Sequence, residues 1–110
     1  MAIHLNSFSI IPGFIKEGEN EVEIHINATL NSPNNNPVRA KMTIISALNI
    51  DIDTPEWDIT MDAGENDQTF EGILIGNSQV PSKKQVRFQL RLKDKTGAVS
   101  TLNTSIEYRP

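Results

Sequence analysis

A strict alternation of apolar and polar residues most constrains how this chain can fold. Between Glu21 and Leu30 every second residue from Val22 onward is apolar, and the residues between them are polar or charged. Successive side chains of a β-strand point to opposite sides of a sheet, so the pattern predicts a strand with one buried and one solvated face. The same alternation recurs over residues 38–44 and 86–92. Strands of this kind are typical of antiparallel sheets packed on one core.

Turn-forming residues divide the rest of the chain into further short strands. The sequence predicts seven or eight strands, with turns about every eight to twelve residues. This spacing is typical of an immunoglobulin-like or fibronectin III-like antiparallel sandwich. A chain of 110 residues is also near the commonest size of a single domain. We therefore expect one all-β sandwich domain over residues 1–110. Its predicted strands are 3–11, 21–30, 38–45, 49–53, 57–61, 69–75, 86–92 and 98–108.

Two local irregularities are expected within these strands. The apolar parity of the first strand changes between Leu5 and Phe8, which predicts a β-bulge or a change of sheet, and Gly72 in the sixth strand is interpreted in the same way. The turns are placed at 16–20, at 62–65 and at 94–97. The alternation also predicts a core made of Val22, Ile24, Ile26, Met42, Ile44, Trp57, Ile59, Phe70, Val86, Phe88, Leu90 and Leu92.

Turn and core residues follow a recognisable order along most of the chain: Gly18-Glu19 before an alternating strand, Asn31 after it, Pro55 with Trp57 and Ile59, and Ala63-Gly64-Glu65 before another strand. In this order the chain resembles bacterial immunoglobulin-like modules of the cell-adhesion-related and galactosidase-associated type. The resemblance implies a non-catalytic spacer, adhesion or binding module.

The sequence offers little chemistry for catalysis. With no cysteine, the chain has no disulfide, thiolate nucleophile or thiolate metal site. His4 and His25 fall on separate predicted strands, and neither a nucleophile elbow nor a phosphate-binding glycine loop is present. We therefore expect no enzyme and no cofactor. A small metal-dependent or hydrolytic enzyme is kept as the third alternative, and it requires a histidine to meet a carboxylate in a cleft.

Acidic residues in the middle of the chain leave a calcium alternative open. Calcium takes six to eight oxygen ligands, which closely spaced carboxylates could supply. The spacing matches no EF-hand loop, so solvated turn residues are the preferred interpretation. The calcium candidates are Asp51, Asp53, Asp62 and Asp67.

A carbohydrate-binding module is the second alternative. It would need Trp57, the only tryptophan, or Tyr108 to be exposed for stacking on a sugar ring. Trp57 alternates in phase with Ile59 and Met61, which instead predicts a buried structural ring.

Charge is distributed unevenly along the chain. No Lys or Arg lies between Lys41 and Lys83, although eight of the fourteen acidic residues do, and six of the ten basic residues lie within residues 83–95. The third and penultimate strands of such a sandwich are neighbours, which predicts a basic face made of Arg39, Lys41, Arg87, Arg91 and Lys93. The opposite sheet would carry Glu21, Glu23, Asp58 and Glu71.

The basic face predicts protein contact, with an acidic partner or with a second copy of the chain. The alternative is that these charged side chains are solvated and serve only to keep the edges of the sheets from aggregating. A net charge of −4 and few aromatic residues argue against nucleic acid. We also expect no membrane span, no signal peptide and no small-molecule ligand. We expect such a module to act in adhesion, as a spacer, or in a virion, tail or injection-apparatus assembly. The compartment stays open between the cytoplasm and an excised extracellular module.

Overall fold

The computed structural model describes residues 2–31, 34–46, 50–77 and 85–109. Within these ranges the chain forms nine strands and no helix. Lys83, Lys84 and the predicted strand start at Asn49 lie outside the described residues. The strands are β1 (Ala2–Ile11), β2 (Phe14–Lys16), β3 (Gly18–Asn31), β4 (Val38–Ser46), β5 (Asp51–Asp53), β6 (Glu56–Met61), β7 (Gly64–Gly76), β8 (Gln85–Asp94) and β9 (Val99–Arg109).

The strands form two sheets packed face to face. The first sheet has the order β1-β3-β7-β5 and the second has the order β2-β9-β8-β4-β6. This arrangement confirms the predicted all-β sandwich. The strand without a predicted counterpart is β2, which pairs in parallel with the last strand, Phe14 opposite Glu107. Three residues are too few to show a period of two, and their partner is distant in sequence, so no local pattern could indicate this strand.

The antiparallel pair β3–β7 runs along the length of the molecule, which measures 49 × 21 × 18 Å. Gly18 lies opposite Gly76 at one end of this pair, and Leu30 lies opposite Gly64 at the other. Strand β7 begins five residues before the predicted start at Thr69, because the polar stretch 64–68 continues the ladder with β3. We refer to the two ends of the molecule as the Gly18 end and the Gly64 end.

The turn that leads into β3 is held by one asparagine side chain. Asn20 Oδ1 accepts a hydrogen bond from the Lys16 amide at 2.8 Å, and Asn20 Nδ2 donates to the carbonyls of Lys16, Gly18 and Leu74 at 2.8, 3.0 and 3.1 Å. Gly18 has a φ of 94°, in the left-handed region that suits glycine. The side chain therefore replaces backbone partners that the turn leaves free.

The same turn precedes β7, at the opposite end of the β3–β7 pair. Asn66 Oδ1 accepts from the Asp62 amide at 3.0 Å, and Asn66 Nδ2 donates to the carbonyls of Asp62 and Gly64 at 2.8 and 3.1 Å. Gly64 has a φ of 96°. The tripeptide Gly-Glu-Asn occurs at both places, so one short motif starts the two long strands that pair with each other.

The two expected irregularities have different outcomes. The register of β1 against β3 shifts between Leu5 and Ser7, which confirms the predicted bulge. The prediction for Gly72 is wrong, because Gly72 pairs with Val22 in an unbroken ladder. A Cβ on Gly72 would approach Ile24 Cδ1 at 3.3 Å and Trp57 at 3.7 Å. The absence of a side chain at Gly72 therefore makes room for Ile24 and Trp57, and it does not mark a bulge.

Ten of the twelve predicted core residues are buried, and the other two, Trp57 and Phe70, are half-buried and packed against the core. Their ring centroids are 6.2 Å apart at an interplanar angle of 49°. Among buried residues outside the predicted set are Ile15, Ala28, Leu30, Met61, Leu74, Ile106 and Tyr108. The core thus extends beyond the predicted set toward both ends of the sandwich.

Two connections position the surfaces described below. Thr54, with a φ of 56°, turns the chain from β5 at the edge of the first sheet to β6 at the edge of the second. The predicted turn after β8 is closed by Asp94, whose Oδ1 accepts from the Thr96 amide at 2.9 Å, the Thr96 hydroxyl at 2.7 Å and the Ala98 amide at 3.1 Å. The described ranges contain no helix that could span a membrane.

Candidate functional site

The structure brings the five predicted basic residues together on the outer face of the second sheet. Strands β4 and β8 are neighbours, with Lys41 directly opposite Lys93 and Thr43 opposite Arg91. All five side chains are exposed because they occupy the outward parity of these strands. We call this set the basic face; it consists of Arg39, Lys41, Arg87, Arg91 and Lys93.

A groove of about 540 Å³ crosses the basic face near the Gly64 end. It lies across β6, β4 and the end of β8. Lys95, in the turn after β8, adds a fourth cation to its lining. The charged residues that line it are Arg39, Lys41, Asp58, Lys93, Asp94 and Lys95.

The acidic strand β6 joins the basic face instead of the opposite sheet. The prediction for Asp58 is therefore wrong: β6 pairs with β4, and Asp58 lies directly opposite Lys41. Glu56 Oε1 accepts a hydrogen bond from Lys41 Nζ at 2.9 Å and raises the pKa of Lys41, with a smaller contribution from the Asp58 charge. The chain reaches β6 only after its excursion to β5, a crossing that strand alternation does not reveal.

Positive charge without an acidic partner lies mainly along β8. Within the described part of the chain, Arg87 and Lys93 make no ion pair, and Arg91 donates to the Gln89 side chain at 3.1 Å. Arg39 on β4 likewise has no ion pair there. The β8 side of the basic face is therefore open to an external acidic group.

Exposed apolar side chains accompany these charges. Ile45 is 43% exposed on the outward parity of β4 and lines a shallow groove with Arg87, Gln89 and Asn103. Val99 is 50% exposed and lies opposite Lys93. The alternation did not assign Ile45 to a surface, although the adjacent pair Ile44-Ile45 breaks the period and was a usable signal. The face therefore combines apolar area with charge.

The outer face of the first sheet is acidic toward the Gly18 end. Glu23 lies directly opposite Glu71, and Ile73 lies between Glu21 on β3 and Asp53 on β5. A groove of about 660 Å³ on this face is lined by these acids together with Ile11 and Ile73. Three of the four acids predicted for this sheet are thus present. We call this set the acidic face; it consists of Glu19, Glu21, Glu23, Asp51, Asp53 and Glu71.

The calcium candidates fall into two separate places. Asp51 and Asp53 on β5 pair with Ile75 and Ile73 of β7, whereas Asp67 lies six residues earlier on β7 than Ile73, roughly 20 Å away along the strand. Asp67 Oδ1 accepts from Asn27 Nδ2 at 2.6 Å. In the described ranges, no three acidic or histidine side chains are grouped as a metal site.

The two histidines also lie in separate places on the first sheet. His4 lies on β1 opposite Thr29 and is exposed. His25 Nε2 is 3.0 Å from Glu23 Oε2, and Thr69 Oγ1 is 3.3 Å from His25 Nδ1. This hydroxyl, imidazole and carboxylate lie in a row on the open face of the first sheet. Neither His25 nor Thr69 lines any of the three grooves described above.

Comparison with known proteins supports the fold. No family model and no curated protein matches the chain. The sporulation control protein Spo0M from Bacillus subtilis is similar in structure, with a TM-score of 0.57 and 9% identity over 100% of this chain and 50% of the Spo0M chain. This chain thus spans about half of the length of Spo0M.

A second similar structure comes from the complex between zinc 2-glycoprotein and prolactin-inducible protein of human seminal plasma. One of its chains matches with a TM-score of 0.51 and 14% identity, over 97% of this chain and 92% of that chain. At such identities the two likenesses show the fold alone, an immunoglobulin-like β-sandwich.

Proposed function

We propose that this domain is a non-catalytic protein-binding module whose basic face takes the acidic surface of a partner. The observation that carries the proposal is the row of Arg87, Arg91 and Lys93 along β8, which has no acidic partner in the described structure. Rows of exposed like charge that repel one another are relieved when an opposite charge docks on them.

The apolar residues beside this row support contact with a protein surface. Protein interfaces place a small apolar centre inside a polar rim, with arginine enriched at the centre. Ile45 lies next to Gln89, and Arg87 and Arg91 are the nearest outward residues of β8 on either side of Gln89. The face therefore offers both elements of such an interface within two adjacent strands.

Sugars and nucleic acids fit this face less well than a protein does. A sugar platform needs an exposed aromatic ring, whereas Trp57 is half-buried against Phe70 and Tyr108 is only 2% exposed. Single-stranded nucleic acid binding combines a basic track with stacking rings. The outward residues of β4, β6 and β8 include no aromatic side chain.

Neutralising two arginines tests the proposal. The variant Arg87→Gln/Arg91→Gln and the control Ser7→Asp/Ser9→Asp change the net charge equally, but the control alters exposed positions of β1. The probe is a polyglutamate peptide, and its affinity is measured by calorimetry. Exposed charge pairs contribute about 0.2–1 kcal/mol each, so losing two should weaken binding about 2- to 30-fold.

The control should bind polyglutamate as the wild type does. Equal weakening of both variants would mean that net charge alone acts, and an unchanged Arg87→Gln/Arg91→Gln affinity would remove the basic face as the site. Tighter binding of duplex DNA than of polyglutamate, lost in the arginine variant, would overturn the assignment of a protein partner.

A further inference from the structure

We infer that the partner of the basic face is the acidic face of a second copy of this chain, so that copies associate head to tail. The inference rests on the proposed function, because it names the partner of the same surface. It is carried by the placement of two complementary faces on one molecule.

The two faces lie on opposite sheets: the acidic face lies toward the Gly18 end, whereas the basic face runs along β8 and has its groove at the Gly64 end. The acidic face begins at Glu19, next to the Gly18 end of β3, and includes Asp51, which pairs with Ile75. The basic groove lies where β4 begins, with Val38 opposite Met61, and β7 starts three residues later at Gly64. A copy that presents its acidic face to another copy's basic face therefore keeps its own basic groove exposed on the far side.

Each face contains a pair of like charges directly opposite one another on neighbouring strands. Glu23 opposes Glu71 on the first sheet, and Lys41 opposes Lys93 on the second. Like charges in this position destabilise a sheet. Within the described residues, Glu71 and Lys93 have no ion pair that would compensate them. Contact between the faces would relieve the repulsion in both copies at once.

The faces also match in their apolar residues. Ile73 lies between Glu21 and Asp53 on the acidic face, and Ile11, which is 50% exposed, borders the same groove. Ile45 on the basic face shares a groove with Arg87. Both faces therefore have an apolar element with charge around it, which is the anatomy of a protein interface.

The size of the faces sets the strength of the contact. A whole sheet of four strands about 4.8 Å apart, with on average about ten residues at about 3.4 Å per residue, has an area of roughly 650 Å², and each charged face covers part of such a sheet. A stable interface buries about 800 Å² on each partner. We therefore expect weak association that depends on concentration and salt. Because the contacting patches differ, the contact leaves one free face at each end and extends to a ring or a chain of copies.

Sedimentation velocity with two variants and their mixture tests the inference. The first is Arg87→Gln/Arg91→Gln, and the second is Glu21→Gln/Glu71→Gln, on exposed positions with no hydrogen bond in the described structure. At about 0.02 M salt, where the Debye length is about 20 Å, the wild type should form species larger than its 12.2 kDa monomer, and about 0.5 M salt should dissolve them.

Each variant alone should remain largely monomeric, because one of its two faces has lost two of its charges. An equal mixture should form dimers and nothing larger, since the intact acidic face of one variant meets the intact basic face of the other. Damage to folding cannot produce this rescue.

Two results would overturn the inference. A wild type that stays monomeric at every concentration and salt would exclude self-association, and variants that associate alone as the wild type does would place the contact elsewhere. Polyglutamate binding that still depends on Arg87 and Arg91 would then leave the proposed function standing, with a foreign acidic protein as partner. If the protein neither self-associates nor binds polyglutamate through Arg87 and Arg91, both this inference and the proposed function are wrong.

Discussion

Gly76 approaches the backbone of Lys16 so closely that a Cβ at Gly76 would lie 2.6 Å from the Lys16 carbonyl oxygen. The same atom would lie 2.7 Å from Cε2 of Tyr108, a buried ring whose hydroxyl donates to the Asn77 carbonyl at 3.0 Å. Gly76 ends β7 in the first sheet, whereas Lys16 and Tyr108 belong to β2 and β9 in the second. The two sheets therefore meet at this residue, at the Gly18 end.

Replacing Gly76 with alanine should destabilise the domain. The methyl group has backbone on one side and a packed ring on the other, and overpacking of this kind costs about 1–3 kcal/mol. The free energy of unfolding is measured by urea denaturation. The matched control is Gly13→Ala, where a Cβ would meet nothing within 4 Å, and its effect should stay within about 0.5 kcal/mol. Equal midpoints for the two variants would contradict the close approach.

Removing the asparagine of either Gly-Glu-Asn turn should also lower stability. Asn20→Ala and Asn66→Ala each leave turn amides and carbonyls without their partner, at about 0.5–1.5 kcal/mol for each hydrogen bond lost to water. Asn20→Ala should cost more, because Asn20 also bonds the Leu74 carbonyl of the paired strand. Urea midpoints give both values.

The aspartate substitutions provide the control for these turns. Asn20→Asp keeps the acceptor for the Lys16 amide but turns an oxygen toward the carbonyls that Nδ2 had bonded. It should therefore be at least as damaging as Asn20→Ala. A harmless Asn20→Asp would show that shape rather than hydrogen bonding maintains the turn.

The sequence predicted most of the fold because a buried face requires a period of two, and that period is visible within each strand. The alternation identified the strand of Val22 and the strand of Phe88, and it placed both side chains in the core. What it could not show is which sheet an edge strand joins. Asp58 lies beside Lys41 because β6 returns to β4 after β5, and that choice depends on contacts between residues distant in sequence.

The basic face could likewise be predicted in part from the sequence. The basic residues of β4 and β8 were placed together by parity and by the expected neighbourhood of the two strands, and the ladder has Lys41 opposite Lys93. The ion pair between Lys41 and Glu56 could not be predicted, because it depends on β6 being the strand that pairs with the other edge of β4. The repeated Gly-Glu-Asn motif was visible in the sequence, but its turn geometry was not predicted.

Trp57 should report a half-buried position in fluorescence. Its ring packs against Phe70, with the two ring centroids 6.2 Å apart, and it lies beside Gly72, where a Cβ would come within 3.7 Å of the indole. We expect an emission maximum at shorter wavelength than that of free indole in water and partial protection from acrylamide. Added oligosaccharides should not change the emission. An emission like that of free indole, quenched by an oligosaccharide, would favour the carbohydrate alternative.

Asp94 should make the stability of the domain sensitive to acid. It is only 3% exposed, and the Thr96 hydroxyl, followed by backbone amides of the turn, lowers the pKa of its carboxyl against the opposing effect of burial. A carboxyl whose pKa is lower in the folded state stabilises the fold fully above its unfolded pKa of about 4. That contribution is lost as the pH falls through the folded pKa.

The variant Asp94→Ala tests this linkage. At pH 7 it should cost about 1–3 kcal/mol, because the amides of Thr96 and Ala98 lose their acceptor in a partly buried turn. Urea denaturation from pH 7 down to about pH 2.5 should show a difference from the wild type that is constant above about pH 5 and narrows below about pH 4. The control Asp51→Ala, at an exposed position of β5, should change stability at pH 7 by less than about 0.5 kcal/mol. A difference for Asp94→Ala that persists unchanged to the lowest pH would show that the hydrogen bonds of the turn do not favour the ionised carboxylate.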